Sequence, residues 1–292
     1  MPELPEVETV RAGMVRHLLG EPIHAAHIVH PRAHRRTVYP VEQVADTRIT
    51  AIARRGKFLW CELDSGTALV LHLGMSGQIL IDPRPAMPRT HLRAHWQIGE
   101  HAVWFVDQRT FGAVSHEPLA ATADGYPGGL GSKQGAVPAS IRHIARDPLD
   151  PHADIPALAR QITASRSYLK ALLLNQTVIS GVGNIYADEA LWRARLHPRT
   201  RGRRLSQVRA RRLITECAAV MREAIAAGGT SFDALYVDVA GQSGWFERSL
   251  AAYGRTGLPC LRCGTPLVRD VVAGRSSHWC PHCTPTAGRV VA

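Results

Sequence analysis

Residues 260–283 read CLRCGTPLVRDVVAGRSSHWCPHC, which holds two Cys-x2-Cys pairs separated by sixteen residues. Each pair presents two thiolates on one tight turn, and two such turns can enclose a Zn²⁺ ion in tetrahedral geometry. A segment this short buries little apolar surface, so the bound ion substitutes for a hydrophobic core. The pattern predicts a C-terminal zinc finger over 251–284 with one structural zinc ion. The predicted ligands are Cys260, Cys263, Cys280 and Cys283.

Two disulfides are the alternative interpretation of these cysteines, and a reducing cytoplasm disfavours them. Because four thiolates leave no position for water, the zinc is expected to be structural rather than catalytic. The remaining cysteines, Cys61 and Cys217, stand alone in apolar patterns and are expected to be packed, inert thiols. Arg269, Arg275 and His278 lie between the pairs, so the finger is predicted to present cations to an anionic partner.

The whole chain is basic. Its 292 residues include 35 Lys or Arg against 24 Asp or Glu, which gives a net charge of +11 and a pI near 10.0. The electrostatic field of such a positively charged protein attracts polyanions. Seven arginines fall within 199–212, several before or inside the first turn of a predicted helix. The helix dipole disfavours cations there by about 0.3–1 kcal/mol each at low salt, which an anionic partner would offset.

The chain shows no run of about 18 uninterrupted apolar residues, which excludes a membrane-spanning helix. The first residues, MPELPEVETV, lack the basic and then apolar regions of a secretory signal. A cytoplasmic protein is therefore expected.

Hydrophobic spacing predicts an α+β fold with strands first and helices second. Residues 1–120 are predicted to form a β-sandwich with a leading helix over 3–19 that ends at Gly20. The strands expected after it cover 58–63, 68–73, 91–98 and 102–106.

Residues 121–140 are rich in Gly, Pro, Ala and Ser and are predicted to be a mobile linker or surface loop. The helical part follows over 141–229. Its expected helices cover 155–174 and 185–196, and a further helix is capped by Ser206 and ended by Gly228 and Gly229.

Motifs spread along the chain resemble the bacterial formamidopyrimidine-DNA glycosylase family, nearly from end to end and in the family's order. They are MPELPEVETV at 1–10, RRGKF at 54–58, HLGMSG at 72–77, DQRTFG at 107–112, GVGNIYADEALW at 181–192 and the cysteine pairs. The resemblance implies an N-terminal β-sandwich with a leading helix, a helix–two-turn–helix DNA-binding domain and a zinc finger. It also implies that residues 230–250 form a loop that covers an extruded base.

The resemblance implies base excision repair: removal of 8-oxoguanine and formamidopyrimidines from damaged double-stranded DNA, then strand cleavage at the abasic site. Removal of Met1 would leave Pro2 as a secondary amine, and an α-amino group has a pKa of about 7.7–8.0. In the matched family this amine forms a Schiff base at C1′. Glu3 matches the residue that moves protons at the sugar, Lys57 the β-elimination proton donor and Arg275 the arginine of δ-elimination, while Glu6 is expected to be a supporting carboxylate.

The resemblance also assigns residues that handle DNA, which must be opened for the target base to leave the stack. Met75, Arg109 and Phe111 match the three residues that fill the resulting gap. Four other positions match phosphate-contacting residues: His72, His91, Asn184 and Arg275. Arg166 and Lys170 are also expected to bind DNA, since they lie in a basic segment near the lesion.

Two positions depart from the family. Trp245 stands where a tyrosine is usual, and Thr110 replaces an arginine found in many members. Two alternatives stay open: an endonuclease VIII-type glycosylase for oxidised pyrimidines, against which Leu4 argues, and a non-catalytic zinc-finger protein that recognises damage. A monomer associated with the nucleoid is expected, because one lesion requires one copy.

Overall fold

The computed structural model describes residues 2–34, 36–84, 87–230 and 236–284, and the chain divides into two compact units. The first unit comprises Met1–His143 with Ala224–Phe246, and the second comprises Ile144–Glu223 with Glu247–Ala292. Among the described residues, no helix is both long and apolar enough to cross a bilayer.

The first unit is a helix followed by two antiparallel sheets. Helix α1 is Leu4–Leu18. One sheet has the order β1-β6-β7-β5 and the other β2-β3-β4-β8-β9. The strands are β1 Ile23–Ile28, β2 Ile49–Arg55, β3 Phe58–Leu63, β4 Thr67–His72, β5 Gly77–Pro83, β6 Leu92–Ile98, β7 His101–Asp107, β8 Ala113–Ala121 and β9 Ala136–Pro138.

Helix α1 begins where its capping residues predict. Glu3 is the N-cap, and its backbone N–H donates to Glu6 Oε2 over 2.8 Å, as in a capping box. Pro5 lies in the first turn, where its missing N–H costs nothing. Gly20 follows the helix with a φ of 85°, a left-handed conformation that glycine adopts without strain. The predicted leading helix is confirmed to within one residue at each end.

The core of this unit lies between α1 and both sheets. It is one apolar cluster that includes Leu18, Leu59, Trp96 and Phe105. On β6 the buried residues alternate, as predicted, with Ala94, Trp96 and Ile98 inside. Strands β1, β2, β5 and β8 were not predicted, because their buried residues do not alternate cleanly along the chain. In β2, for example, Ala51 to Arg55 are all buried.

Residues 121–140, predicted to be a mobile linker or surface loop, contain a strand of the first unit. Within them, β9 extends the five-stranded sheet by pairing with β8, and Gly128 and Gly129 are buried. Leu130 and Arg54 exchange two backbone hydrogen bonds of 2.9 and 3.0 Å. These backbone contacts attach the segment to the first unit, and a glycine-rich composition by itself does not reveal them.

The second unit contains helices α2 Ile155–Ala164, α3 Leu169–Leu174, α4 Asn184–Arg193 and the hairpin β10 Val268–Val272 with β11 Arg275–Trp279. Helix α5, Gln207–Ala226, contributes its residues up to Glu223. The single helix predicted over 155–174 is wrong, because residues 165–168 leave the helical path. Their backbone pairs with 200–203 instead: Arg203 N–H donates to Ser165 O over 2.8 Å, and Gly202 N–H to Ser167 O over 3.0 Å.

Candidate nucleic-acid interface and metal centre

The N-terminal segment is buried and held by one carboxylate. Pro2 and Glu3 are both buried, and Met1 lies outside the described residues. Glu6 accepts from Glu3 N–H through Oε2 and, through Oε1, from the N–H and hydroxyl of Thr230, both over 2.9 Å. The Glu6 side chain therefore ties the start of α1 to Thr230. The predicted supporting role of Glu6 thus has a definite set of partners.

Lys57 lies in the tight turn between β2 and β3. Its side chain is mostly buried, and Arg54 nearby donates to Glu8 of α1 over 2.9 Å, which attaches this hairpin to the helix. His72 is opposite Phe58 across β3 and β4, with ring centroids 4.6 Å apart. Burial, followed by the positive charges of Lys57 and Arg36, lowers the pKa of His72 to about 4. His72 is therefore neutral at pH 7 and could donate a neutral N–H to a phosphate.

Two neighbouring loops present the residues predicted to fill the gap in DNA. Met75 and Phe111 are exposed by 37% and 55%, unusually for such apolar side chains. The Arg109 guanidinium lies 5.2 Å from the centroid of the Phe111 ring, a cation–π distance. A thioether, a cation and an aromatic ring thus project from one surface of the first unit.

Asp107 holds these loops in place, a role that sequence reasoning did not assign. Its carboxylate accepts from the Ser76 hydroxyl, from the Arg109 N–H over 3.1 Å and from the Gly112 N–H over 2.7 Å. Gly74, at a φ of 62°, allows the loops to meet, since a Cβ there would lie 2.5 Å from the backbone of Phe111. Asp107 is the first residue of the motif DQRTFG, and this motif was the sequence signal that could have identified its role.

His91 joins the same loop through its backbone, because its carbonyl accepts from Asp107 N–H over 3.0 Å. Its side chain is exposed, and its φ of 57° is unusual for a residue with a side chain. Thr110, the departure from the family pattern, also has a positive φ, 54°. An open cavity of about 470 Å³ beside this loop is lined by residues that include Arg32, Arg36, His72, Thr110, Phe111 and His143. The first unit thus brings together His72, Met75, His91, Arg109 and Phe111.

In the second unit, Asn184 is the first residue of α4. Its side-chain oxygen Oδ1 is buried and accepts no hydrogen bond within the described part of the chain. Gln176 shapes the preceding turns by donating to Leu174 O and Val182 O and accepting from Gly181 N–H. The backbone N–H groups at a helix N-terminus form a common phosphate-binding arrangement.

Lys170 departs from its predicted contact with DNA. Its side chain is 0% exposed; its ammonium donates to Asp188 and, over 3.2 Å, to the Asn184 carbonyl. An ammonium buried in this way is paired because an isolated buried charge is very costly. The expected DNA contact is therefore corrected to a structural ion pair beneath the N-terminus of α4. Arg166, four residues earlier, is exposed as expected.

Two consecutive carboxylates of α4 anchor the finger, and sequence reasoning missed both. Asp188 accepts from the Ser277 hydroxyl, the His278 backbone and His278 Nδ1, each over 2.9 Å. Glu189 accepts from the backbone N–H groups of residues 251, 252 and 253. Burial raises the pKa of Glu189, although these hydrogen bonds oppose the shift. His278 is therefore an internal anchor and not, as predicted, a cation presented by the finger. Arg275 and Arg269 are exposed.

The four predicted zinc ligands converge. Their sulfur atoms lie within 4.8 Å of one another, and three of the pairs are 3.4, 3.5 and 3.9 Å apart. Tetrahedral zinc with Zn–S bonds of about 2.3 Å requires sulfurs roughly 3.8 Å apart, so the cluster fits the ion. Cys61 and Cys217 are buried elsewhere, and burial raises the pKa of each thiol to about 12, as expected for inert packed cysteines.

Part of the predicted base-covering loop and the C-terminal tail lie outside the described residues. Residues 231–235, within the predicted base-covering loop 230–250, lie outside the described residues. Trp245 is 63% exposed, and the tail beyond residue 284 is not described.

Comparison with known proteins places the chain in a family. Three family models match: the formamidopyrimidine-DNA glycosylase N-terminal domain over 1–114, its H2TH domain over 144–235, and the zinc finger found in FPG and IleRS over 257–285. The chain is 50% identical to a formamidopyrimidine-DNA glycosylase of Kineococcus radiotolerans, covering 98% of both chains. It is 51% identical to one of Acidothermus cellulolyticus, covering 99% of both.

Solved structures agree. The MutM (Fpg) protein of Thermus thermophilus superimposes with a TM-score of 0.80 at 36% identity, over 97% of this chain and 98% of that one. A complex of Lactococcus lactis Fpg with DNA containing an abasic site has a TM-score of 0.79 at 28% identity, over 97% and 99%. This chain belongs to the formamidopyrimidine-DNA glycosylase family, and its four clustered cysteines are the ligands of one structural zinc ion.

Proposed function

We propose that this chain is a bifunctional DNA glycosylase and abasic-site lyase that removes oxidised purines from damaged double-stranded DNA in base excision repair. The observation that carries the proposal is a combination within one unit. Pro2 and Glu3 are buried at the start of α1, and the same unit presents an exposed Met75, Arg109 and Phe111. Relatives named formamidopyrimidine-DNA glycosylase support the purine substrate.

Pro2 is the proposed nucleophile once Met1 is removed. Its neutral secondary amine attacks C1′ of the extruded nucleotide, and the C1′–N bond breaks as its electron pair leaves with the base, which takes up a proton. The nitrogen loses its proton, and its lone pair then breaks the C1′–O4′ bond as O4′ takes up a proton, which opens the sugar ring and forms an iminium. The iminium acidifies the C2′ hydrogens, so loss of a C2′ proton expels the 3′ phosphate. Glu3 moves protons at the sugar, and Lys57 supplies the proton of β-elimination. Arg275 of the second unit serves δ-elimination.

The DNA contacts are proposed as follows. Met75, Arg109 and Phe111 fill the gap left by the extruded base, with the arginine facing the orphaned cytosine, since a flexible thioether, a planar cation and an aromatic wedge suit that task. His72, His91, Asn184 and Arg275 bind phosphates, and Arg166 adds positive charge. The proposed functional divisions of the chain are the N-terminal β-sandwich domain over 1–120, to which 121–140 are attached, the helix–two-turn–helix domain over 141–229, the base-covering loop over 230–250 and the zinc finger over 251–284. The protein is expected to act as a monomer in the cytoplasm, associated with the nucleoid.

Borohydride trapping tests the chemistry. Wild-type protein mixed with an 8-oxoguanine duplex and borohydride is expected to form a covalent complex through residue 2, and Pro2→Gly to trap far less. A matched control keeps Pro2 but adds a residue before it that is not removed, which blocks the amine without altering the side chain. Efficient trapping by the blocked control would contradict the proposed nucleophile. No trapping by any form would favour the non-catalytic alternative.

Substrate choice is tested separately by comparing single-turnover excision of 8-oxoguanine and thymine glycol. Faster excision of thymine glycol would favour the endonuclease VIII-type alternative.

A further inference from the structure

Six arginines form an exposed basic surface on the second unit, here called the arginine strip. They are Arg201, Arg203, Arg204, Arg209, Arg211 and Arg212, and all are exposed. Residues 199–212 contain no acidic residue. Two of these arginines have partners at known distances: Arg201 lies 5.6 Å over the Tyr168 ring, and Arg212 is 3.7 Å from Glu216. With six arginines and no acidic residue within it, the strip carries a net positive charge.

Three of these guanidinium groups are free in the described part of the chain. The side chains of Arg203, Arg209 and Arg211 make no hydrogen bond or ion pair there. By contrast, Arg199 just before the strip binds Asp270 and the Val271 carbonyl. An acidic partner thus binds Arg199 at the edge of this region, and none binds Arg203, Arg209 or Arg211 within the described residues.

The fold concentrates these charges and does not scatter them. The first turn of α5 contains no acidic residue, so Arg209 and its neighbours add to the positive end of a 20-residue helix. The first six residues of a helix rise only about 9 Å, so Arg209, Arg211 and Arg212 lie close together. The preceding short 3₁₀ turn, Gly202–Arg204, brings Arg203 and Arg204 within a few residues of them.

The strip also continues from Arg166, which is proposed to face DNA. Residues 165–168 pair through their backbone with 201–203, with Arg203 N–H donating to Ser165 O over 2.8 Å. Arg166 and Arg203 therefore stand on adjacent, hydrogen-bonded segments. A line of guanidinium groups that starts beside a phosphate-binding position and extends along a helix suits a regularly charged backbone.

We propose that the arginine strip binds the phosphate backbone of duplex DNA that flanks the lesion, and so holds undamaged DNA during the search. This inference rests on the proposed function and adds a second contact region to it. Guanidinium groups that contact only phosphates do not recognise the base sequence. The strip is therefore expected to contribute affinity and salt dependence, but not specificity for the lesion.

The test compares two variants of the full zinc-loaded protein that each lose three charges. R203Q/R209Q/R211Q removes the free centre of the strip, and R160Q/R195Q/R222Q removes three exposed arginines elsewhere in the same unit. Affinity for a long undamaged duplex is measured against salt concentration. Each phosphate contact contributes about 0.9 to the slope of log K against log salt, so the strip variant is expected to lose roughly two to three from that slope. The control is expected to lose less than one.

Two further measurements separate this inference from the proposed function. Shortening the duplex around the lesion is expected to remove the difference between wild type and the strip variant. Single-turnover excision at saturating enzyme is expected to be unchanged in the strip variant, whereas failure of the proposed function would abolish excision in the wild type.

An unchanged slope, or an equal loss in both variants, would overturn the inference. A preference of the wild-type protein for single-stranded RNA over duplex DNA that is lost in the strip variant would also overturn the inference, because it would identify RNA as the partner of the strip.

Discussion

The first unit is held together by an apolar cluster shared by α1 and both sheets, whereas the zinc finger of the second unit is anchored by two buried carboxylates in the middle of α4. In the first unit, Leu59, Trp96 and Phe105 exclude water from one continuous core. In the finger the apolar cluster is small, and Asp188, Glu189 and the four thiolates supply the missing contacts. Where the chain is too short to build a core, a metal and satisfied buried charges take its place.

Removal of the zinc should have the largest effect and should divide the two units. In Cys280→Ser the finger is expected to unfold, because zinc binding supplies roughly 10–16 kcal/mol in finger peptides. Amide exchange should show lost protection over 257–284 and unchanged protection in β3 and β4, with DNA affinity at least tenfold weaker. Cys217→Ala, at a packed thiol, should keep one zinc per chain. Retained protection of the finger in Cys280→Ser would show that its apolar contacts suffice.

Replacement of Asp188 tests how much the buried charge between α4 and the finger contributes to stability. Asp188→Ala leaves Lys170 as an uncompensated buried cation, which should reduce the free energy of unfolding by about 3–5 kcal/mol. Ser277→Ala removes one hydrogen bond to the same carboxylate and should cost about 1 kcal/mol. Urea unfolding measures the loss of unfolding free energy in each variant, and amide hydrogen exchange in α4 shows where protection is lost. Equal, small losses would mean that the Asp188 contacts are incidental to stability.

Glu6 is the counterpart of Asp188 in the first unit. In Glu6→Gln only one side of the amide can accept, so either the Glu3 N–H or the Thr230 donors lose their partner. The expected cost is about 1–3 kcal/mol, smaller than at Asp188 because the apolar core remains. Thermal unfolding and exchange at these two amides measure it, with the exposed Glu42→Gln as the control. A loss as large as that of Asp188→Ala would contradict the contrast between the units.

The effect that is smallest at pH 7 concerns the titration of His72, because it develops only at lower pH. Because the pKa of folded His72 is lowered to about 4 from 6.5, the unfolded chain binds more protons between these values. Stability should therefore rise with pH across this window and fall as the pH drops through it. The slope of unfolding free energy against pH measures how many more protons the unfolded chain binds than the folded chain. His72→Gln should lower this difference by up to about one proton, whereas His24→Gln, at an exposed residue of β1, should not change it. An identical slope in both variants would indicate a solvated His72.

Local patterns were sufficient where one short segment determines the result. The spacing of Cys260, Cys263, Cys280 and Cys283 predicted the ligand set, which the structure confirms as a cluster. The periodic apolar residues of α1 and the cap at Ser206 predicted their helices closely. The break at 165–168 was not predictable in this way, since it depends on hydrogen bonds to residues more than thirty positions later.

The sequence by itself determined the class of fold, the zinc site and the motifs that place the chain in its family, because each depends on residue type and spacing within a short segment. Only the tertiary structure decided which polar residues face inward. It buried Lys170 and His278 around Asp188, and it left Arg203, Arg209 and Arg211 exposed without partners among the described residues. Burial and pairing depend on segments that are distant in the chain but adjacent in space, so a cation's role follows from its neighbours and not from its position in the sequence.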